Sequence, residues 1–180
     1  MKLNISLDDF FTLFLSDDAP VSLASHHEAV GDSSVESTRW QGSSSSSSIS
    51  ASGIFTKQRQ LTYKHAIKIP VAMAPPDGMA TKFQIVERFG DHGICLDTET
   101  WINDVPLADC FYVADRLIVA ANPEGGVSLS AQFGNCFVKK TMFKKIINVA
   151  STKAVLEFHK GYIESIRTAV NKSLASSFGQ

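Results

Sequence analysis

Apolar and polar positions follow two rhythms along this chain, one of period two and one of period 3.6, and the change between them divides it. Near the start, Phe10, Phe11, Leu13, Phe14 and Leu15 crowd behind Ser6, Asp8 and Asp9. A serine followed by aspartates marks a helix start, because the hydroxyl caps free N–H groups and carboxylates suit the positive end of the dipole. The pattern predicts a short strand over Leu3 to Ile5 and then a helix closed by Ser16-Asp17-Asp18-Ala19-Pro20. A second short helix is expected near Ser22 to Val30.

From Gly31 to Gly53 apolar positions thin out, and Ser43 to Ser48 is a run of six serines. Such a stretch buries too little apolar area to offset its ordering entropy, so a flexible insert is expected at about 41–53, with Trp40 packed. The period-two rhythm follows. Strands are predicted over Phe55 to Ile69, Thr81 to Phe89, Gly93 to Ile102, Cys110 to Ala121 and Gly126 to Val138. Asn122-Pro123-Glu124-Gly125-Gly126 supplies a turn, and the short connections argue for an antiparallel meander.

The helical rhythm returns from about Lys139 to Ser173, where Phe143, Ile147, Ala150, Ala154 and Phe158 recur at spacings of three and four. Such a helix runs roughly 45–50 Å, longer than most. One long helix on the concave face of a curved antiparallel sheet is a helix-grip arrangement of class α+β. Ala150 and Ala154 leave space at mid-helix unless bulky sheet residues fill it, so the pattern admits both an internal cavity and a packed core.

The segment Ile69 to Ala80 breaks both rhythms. Three prolines and a glycine disfavour helix and ladder strand, yet only one of its twelve residues is charged. Connections are normally polar and run over the surface, so an apolar one suggests a lid over a pocket or a contact with a partner or membrane. Lys64, Lys68 and Lys82 flank it and suit anionic headgroups.

Composition excludes several classes. With 44% hydrophobic and 19% charged residues the 180-residue chain reads as one folded globular domain, 1–180, carrying that insert. A net charge of −1 gives no whole-domain attraction to nucleic acid or anionic lipid. Cys95, Cys110 and Cys136 are odd in number and unpaired in pattern, which suggests buried thiols in a reducing compartment. Asp8 and Asp9 argue against a secretory signal, and no run reaches the length of a membrane span.

Catalytic and metal signatures are sparse. The chain has no Gly-x-Ser-x-Gly elbow, phosphate loop or His-Glu-x-x-His helix. Adjacent His26 and His27 point apart on a helix, Asp91-His92-Gly93 reads as a hairpin turn, and Arg116 as half of a sheet-surface ion pair with Asp115, Asp97 or Glu99. No cofactor, metal site or enzymatic activity is expected.

With these pieces placed, the chain resembles the VASt domain, the StAR-like lipid-transfer family of Aster and Lam proteins. The resemblance runs from about Arg59 to Val170, and more weakly over Leu3 to Asp18. It is carried by Arg59-Gln60-Leu61-Thr62-Tyr63, the loop around Pro70 to Gly78, Asp104-Val105-Pro106, Phe111-Tyr112-Val113-Ala114-Asp115-Arg116-Leu117 and the closing helix. Here Asp-Val-Pro continues with Leu107-Ala108, where the family usually has Tyr-Gly.

The resemblance implies a domain that binds a sterol or sterol-like lipid in an apolar cavity and transfers it between membranes at contact sites. It also implies the cytosolic face of the endoplasmic reticulum, within a larger anchored protein, with transient membrane-surface contact. Nothing calls for more than a monomer. Cavity-lining candidates are Tyr63, His65 and Ile67, then Phe83 and Ile85, Leu96, Thr98 and Thr100, Tyr112, and Phe143, Ile147, Ala150, Ala154 and Phe158 from the helix. His65, Thr98, Thr100 and Tyr112 are the candidates to meet a lipid hydroxyl. By position, Ile69, Pro70, Val71, Met73, Pro75, Pro76, Gly78 and Met79 form the lid or membrane loop. The competing readings are a helix-grip enzyme, and a protein-interaction module that uses the 69–80 loop as a docking patch over a filled core.

Overall fold

The computed structural model describes residues 1–42, 54–66, 77–104 and 106–177. Strand β1 (Lys2–Leu3) precedes helix α1 (Leu7–Phe10), which runs directly into a π-helical turn over Phe11–Leu15. Ser6 caps α1 as its sequence predicts, its hydroxyl oxygen accepting from the Asp9 N–H at 3.0 Å. Helix α2 (Leu23–Ala29) begins the same way, with Ser22 Oγ accepting from the Ser25 N–H at 3.1 Å.

Next come β2 (Ser33–Ser37), β3 (Gln41–Gly42), β4 (Ile54–Ala66), β5 (Asp77–Phe89), β6 (Gly93–Ile102), β7 (Phe111–Ala121) and β8 (Val127–Phe137). They join in one curved antiparallel sheet of order β1-β8-β7-β6-β5-β4-β2, with β3 also paired to β4. The chain closes with helix α3 (Lys144–Ser177). This is the helix-grip α+β fold.

The register defines two ends of the sheet. Ala66 pairs with Asp77, Thr100 with Val113, and Phe111 with Phe137, so the paired ends of β4 and β5, the end of β6, the start of β7 and the start of α3 share one end. The tight turns after β5 and β7 lie at the other. There Phe10, Phe14, Val86, Ile94, Val119, Ile166 and Val170, all buried, form the core, and the Phe10 and Phe14 rings meet at 4.9 Å. Gly126 holds this end together. Its φ is +74°, and a Cβ added there would lie 2.3 Å from the Leu3 carbonyl oxygen. Gly126→Ala is expected to cost about 2 kcal/mol. Thermal denaturation should show a midpoint roughly 4–8 °C lower.

The structure revises the sequence expectations in two stretches. Ser33–Ser37 and Gln41–Gly42 pair with β4, so ordered strand reaches the first residues assigned to the insert; 43–53 lie outside the described residues. Exposed strands of Ser, Glu and Gln carry no apolar rhythm to betray them. Second, Asp77 to Ala80 belong to β5 rather than to a loop, paired with Ala66 to Tyr63. Gly78 and Met79 are therefore ladder residues, held by backbone pairing that the neighbouring prolines concealed. Trp40 packs as expected, its Nε1 donating to the Leu15 carbonyl at 2.6 Å.

Candidate functional site

Period two gives every strand one concave and one convex set of side chains. On β5 the concave set is Gly78, Ala80, Lys82, Gln84 and Val86, all buried, and on β6 it is Ile94, Leu96, Thr98 and Thr100. With Arg59 of β4, also buried, five polar side chains lie beneath the helix, and burial without partners would be costly. They satisfy one another. Arg59 Nε donates to Gln84 Oε1 at 2.8 Å, and Gln84 Nε2 to Thr98 Oγ1 at 3.4 Å. The Arg59 guanidinium also lies 4.2 Å from the Trp40 ring centroid.

Lys82 occupies the middle of this floor. Its Nζ donates to Thr100 Oγ1 at 2.9 Å and stands 5.4 Å from the Phe158 ring centroid. Burial pulls its ammonium down from the usual lysine range, opposed by the carboxylates of Asp115 and Asp32. Burial likewise raises Asp115, opposed by Lys82 and His159, and the His159 Nε2 lies 3.9 Å from its Oδ1.

A second polar group joins α2 to the sheet. His27 and His65 converge on Asp32, with Nδ1–Oδ distances of 2.6 and 2.8 Å. The His27 ring is sandwiched between Tyr63 and Phe158, at centroid distances of 3.9 and 4.5 Å. Burial is the largest influence on Asp32 and would raise it, but the bonds from both histidines together hold it below the usual carboxylate range. Among the described residues no group of three or more His, Cys, Asp or Glu is placed to hold a metal ion.

Helix α3 grips this surface unevenly. Along its sheet-facing side Tyr162, Ile166 and Val170 are buried, whereas Ile147, Ser151, Val155 and Phe158 are half-buried. Strand β8 shows the same gradient, from buried Val127 and Leu129 to half-buried Ala131, Phe133 and Asn135. Among the described residues, then, the first half of the helix is held to the sheet with less burial than the second. Two polar ties join that half to β8: Asn135 Nδ2 donates to Asn148 Oδ1 and Ser151 Oγ to Asn135 Oδ1, both at 2.9 Å.

The expected lining residues divide. Tyr63, Leu96, Thr98 and Thr100 are buried on the concave face, His65 stands at its margin, and Ile147, Ala150 and Phe158 are half-buried on the helix. Phe83 and Ile85 must be reassigned, being 48% and 45% exposed on the convex face, because the parity of β5 is set by Ala80 and Val86. Tyr112 is also convex, stacked on Trp101 at 4.7 Å, since Val113, Leu117 and Val119 take the inner positions of β7. Ala154 is exposed, because Ser151, Val155 and Phe158 occupy the sheet side, and Phe143 is exposed just before the helix. Ile67, Ile69, Pro70, Val71, Met73, Pro75 and Pro76 lie outside the described residues.

Sequence reasoning missed Arg59, Lys82, Gln84 and Asp115. Their signal was their parity with Leu61, Ala80, Val86 and Val113. Arg116 is a surface residue as expected, its Nε donating to Asp97 Oδ1 at 2.6 Å.

A curved antiparallel sheet that grips one long helix defines the helix-grip class of domain. Residues 1–154 match the family described as VASt, the VAD1 Analog of StAR-related lipid transfer domain. The chain belongs to this family, whose domains bind lipids in the StAR-like manner. A relative is Protein VASCULAR ASSOCIATED DEATH 1, chloroplastic, of Arabidopsis thaliana, 28% identical over 171 residues. That match covers 93% of this chain and 26% of the relative, so the chain spans about a quarter of its length. No helix among the described residues is long and apolar enough to cross a membrane.

Proposed function

We propose that the chain binds one sterol or sterol-like lipid in a groove under the first half of α3 and carries it between membranes as a monomer, without covalent chemistry. The observation that carries this reading is the loss of burial along α3 and β8, which leaves an accommodating wall beside a fixed polar floor. A rigid apolar body needs area, worth about 25 cal/mol per Å² removed from water, and a few convergent polar groups to orient it. Thr100 and Lys82, buried on the concave face and hydrogen-bonded to each other, are the groups suited to a lipid hydroxyl. Family membership and the resemblance support work at the cytosolic face of the endoplasmic reticulum and its contact sites.

The test is titration with a fluorescent sterol, competed by cholesterol, ergosterol and phosphatidylserine. Saturable binding near one per chain, displaced by an unlabelled sterol, is the expected result. Val155→Trp should fill the groove and weaken binding at least tenfold, about 1.4 kcal/mol, while convex Phe83→Ala leaves it unchanged. Displacement only by phosphatidylserine would move the assignment to another lipid. Absence of any saturable lipid binding would favour docking by the 69–80 segment.

A further inference from the structure

The first half of α3 is apolar on two sides. One side, with Ile147, Ser151, Val155 and Phe158, faces the sheet. On the other, Ile146, Val149 and Leu156 recur at spacings of three and seven, with Lys153 between them, and Met142 and Phe143 extend the stripe into the preceding turn. Met142, Ile146 and Val149 are 89%, 66% and 68% exposed. Val138, at the end of the sheet, is exposed as well. An apolar stripe of this length on the solvent side of a helix is without cover among the described residues, and such stripes mark contact surfaces.

The charges around the stripe identify what it contacts. From residue 138 to 156 there are five lysines, Lys139, Lys140, Lys144, Lys145 and Lys153, and no Asp or Glu. Lys139 is engaged by Asp109, and Lys144 lies 4.9 Å from the Phe137 ring centroid. Lys144 and Lys145 stand in the first turn of α3, which has no acidic residue. That is the positive end of the helix dipole, where carboxylates are favoured and lysines oppose helix formation. A sequence optimised only for folding would place the charges the other way. Basic residues beside an exposed apolar stripe are the composition of an interfacial membrane helix, which buries its apolar residues at the acyl boundary and sets its lysines among anionic headgroups.

We infer that the β8–α3 junction and the outer face of the first half of α3, from Val138 to Leu156, form a docking surface for an anionic lipid bilayer. This surface shares its end of the sheet with the Ala66–Asp77 pair of β4 and β5 and with the half of α3 under which the lipid is proposed to bind. Docking there aligns the groove with the membrane. The inference concerns the membrane surface and does not depend on which lipid the groove carries.

Vesicle co-sedimentation tests it, with phosphatidylcholine vesicles compared with vesicles that also contain phosphatidylserine. The chain is expected to bind the second kind preferentially and to release as salt is raised. Because each lysine near an anionic surface contributes a fewfold, Lys140→Gln with Lys145→Gln should weaken binding at least tenfold. Ile146→Ser with Val149→Ser should do so at any charge density. Both pairs are exposed, so sterol titration in vesicle-free solution should be unchanged, which separates failure at this surface from failure of the groove. Wild-type affinity in both variants would overturn the proposal. So would a wild-type dimer in sedimentation velocity that Ile146→Ser with Val149→Ser dissolves, because the stripe would then be covered by a second copy.

Discussion

Replacing Phe14 with alanine lowers stability by about 3–5 kcal/mol, whereas Phe83→Ala changes it by less than about 0.5 kcal/mol. Phe14 is fully buried, packs against Phe10 and belongs to the cluster that joins α1, the sheet and the end of α3. Truncation there removes a whole ring and leaves a void that the surrounding β-branched residues cannot collapse to fill. Phe83 is nearly half exposed on the convex face, so its loss opens no cavity. The measurement is denaturant unfolding of both variants beside the wild type. Equal losses would mean that the convex face is covered.

Acidification produces the second large effect. Burial between Tyr63 and Phe158 drives the pKa of His27 down to about 4; the bond to Asp32 opposes this, and Lys82 and His26 reinforce it. A folded-state pKa below the unfolded value of 6.5 means that the fold prefers neutral imidazole. The stability is therefore intact above about pH 6.5 and is lost as pH falls towards about 4. The loss from His27 is about 2 kcal/mol by pH 5 and about 3 kcal/mol once the group is fully protonated. His26 and His159, also lowered mainly by burial, act in the same direction. Asp32, held low by its histidines, weakens only below the carboxylate range, in a separate window. Denaturant unfolding at pH 7 and pH 5 should show the loss, and His27→Phe should flatten it. A wild-type profile that is flat over this range would count against a buried neutral His27.

What the sequence disclosed and what it withheld have physical causes. Serine caps are local chemistry, so Ser6 announced its helix correctly. Gly93–Ile102 was readable to the residue because its flanking glycine and its apolar rhythm agree. The inner face of β5 was misread because hydrophobicity was taken as the guide to burial. Phe83 and Ile85 look like core, yet Lys82 and Gln84 are the buried residues, and only hydrogen bonds formed across the sheet make that tolerable. Those bonds join residues 14 to 25 positions apart, which no local window detects. The helix was legible as a helix, but not the way it is divided between sheet and solvent, since Ile146 and Ile147 are chemically identical and only packing separates them. His27 and His65 lie 38 positions apart on two elements, and their meeting at Asp32 is a product of topology.

The uneven hold on α3 makes this molecule a jaw bolted at one hinge. At the back, Tyr162, Ile166 and Val170 are locked into the phenylalanine core, and Gly161 is pressed so close to His26 that an added Cβ would sit 3.3 Å from the imidazole. At the front, half-buried contacts and the Asn135 ties carry the load. Prising the front apart costs only those contacts and leaves the bolt in place. Were the helix to open there for a lipid, opening and unfolding would engage different parts of one helix.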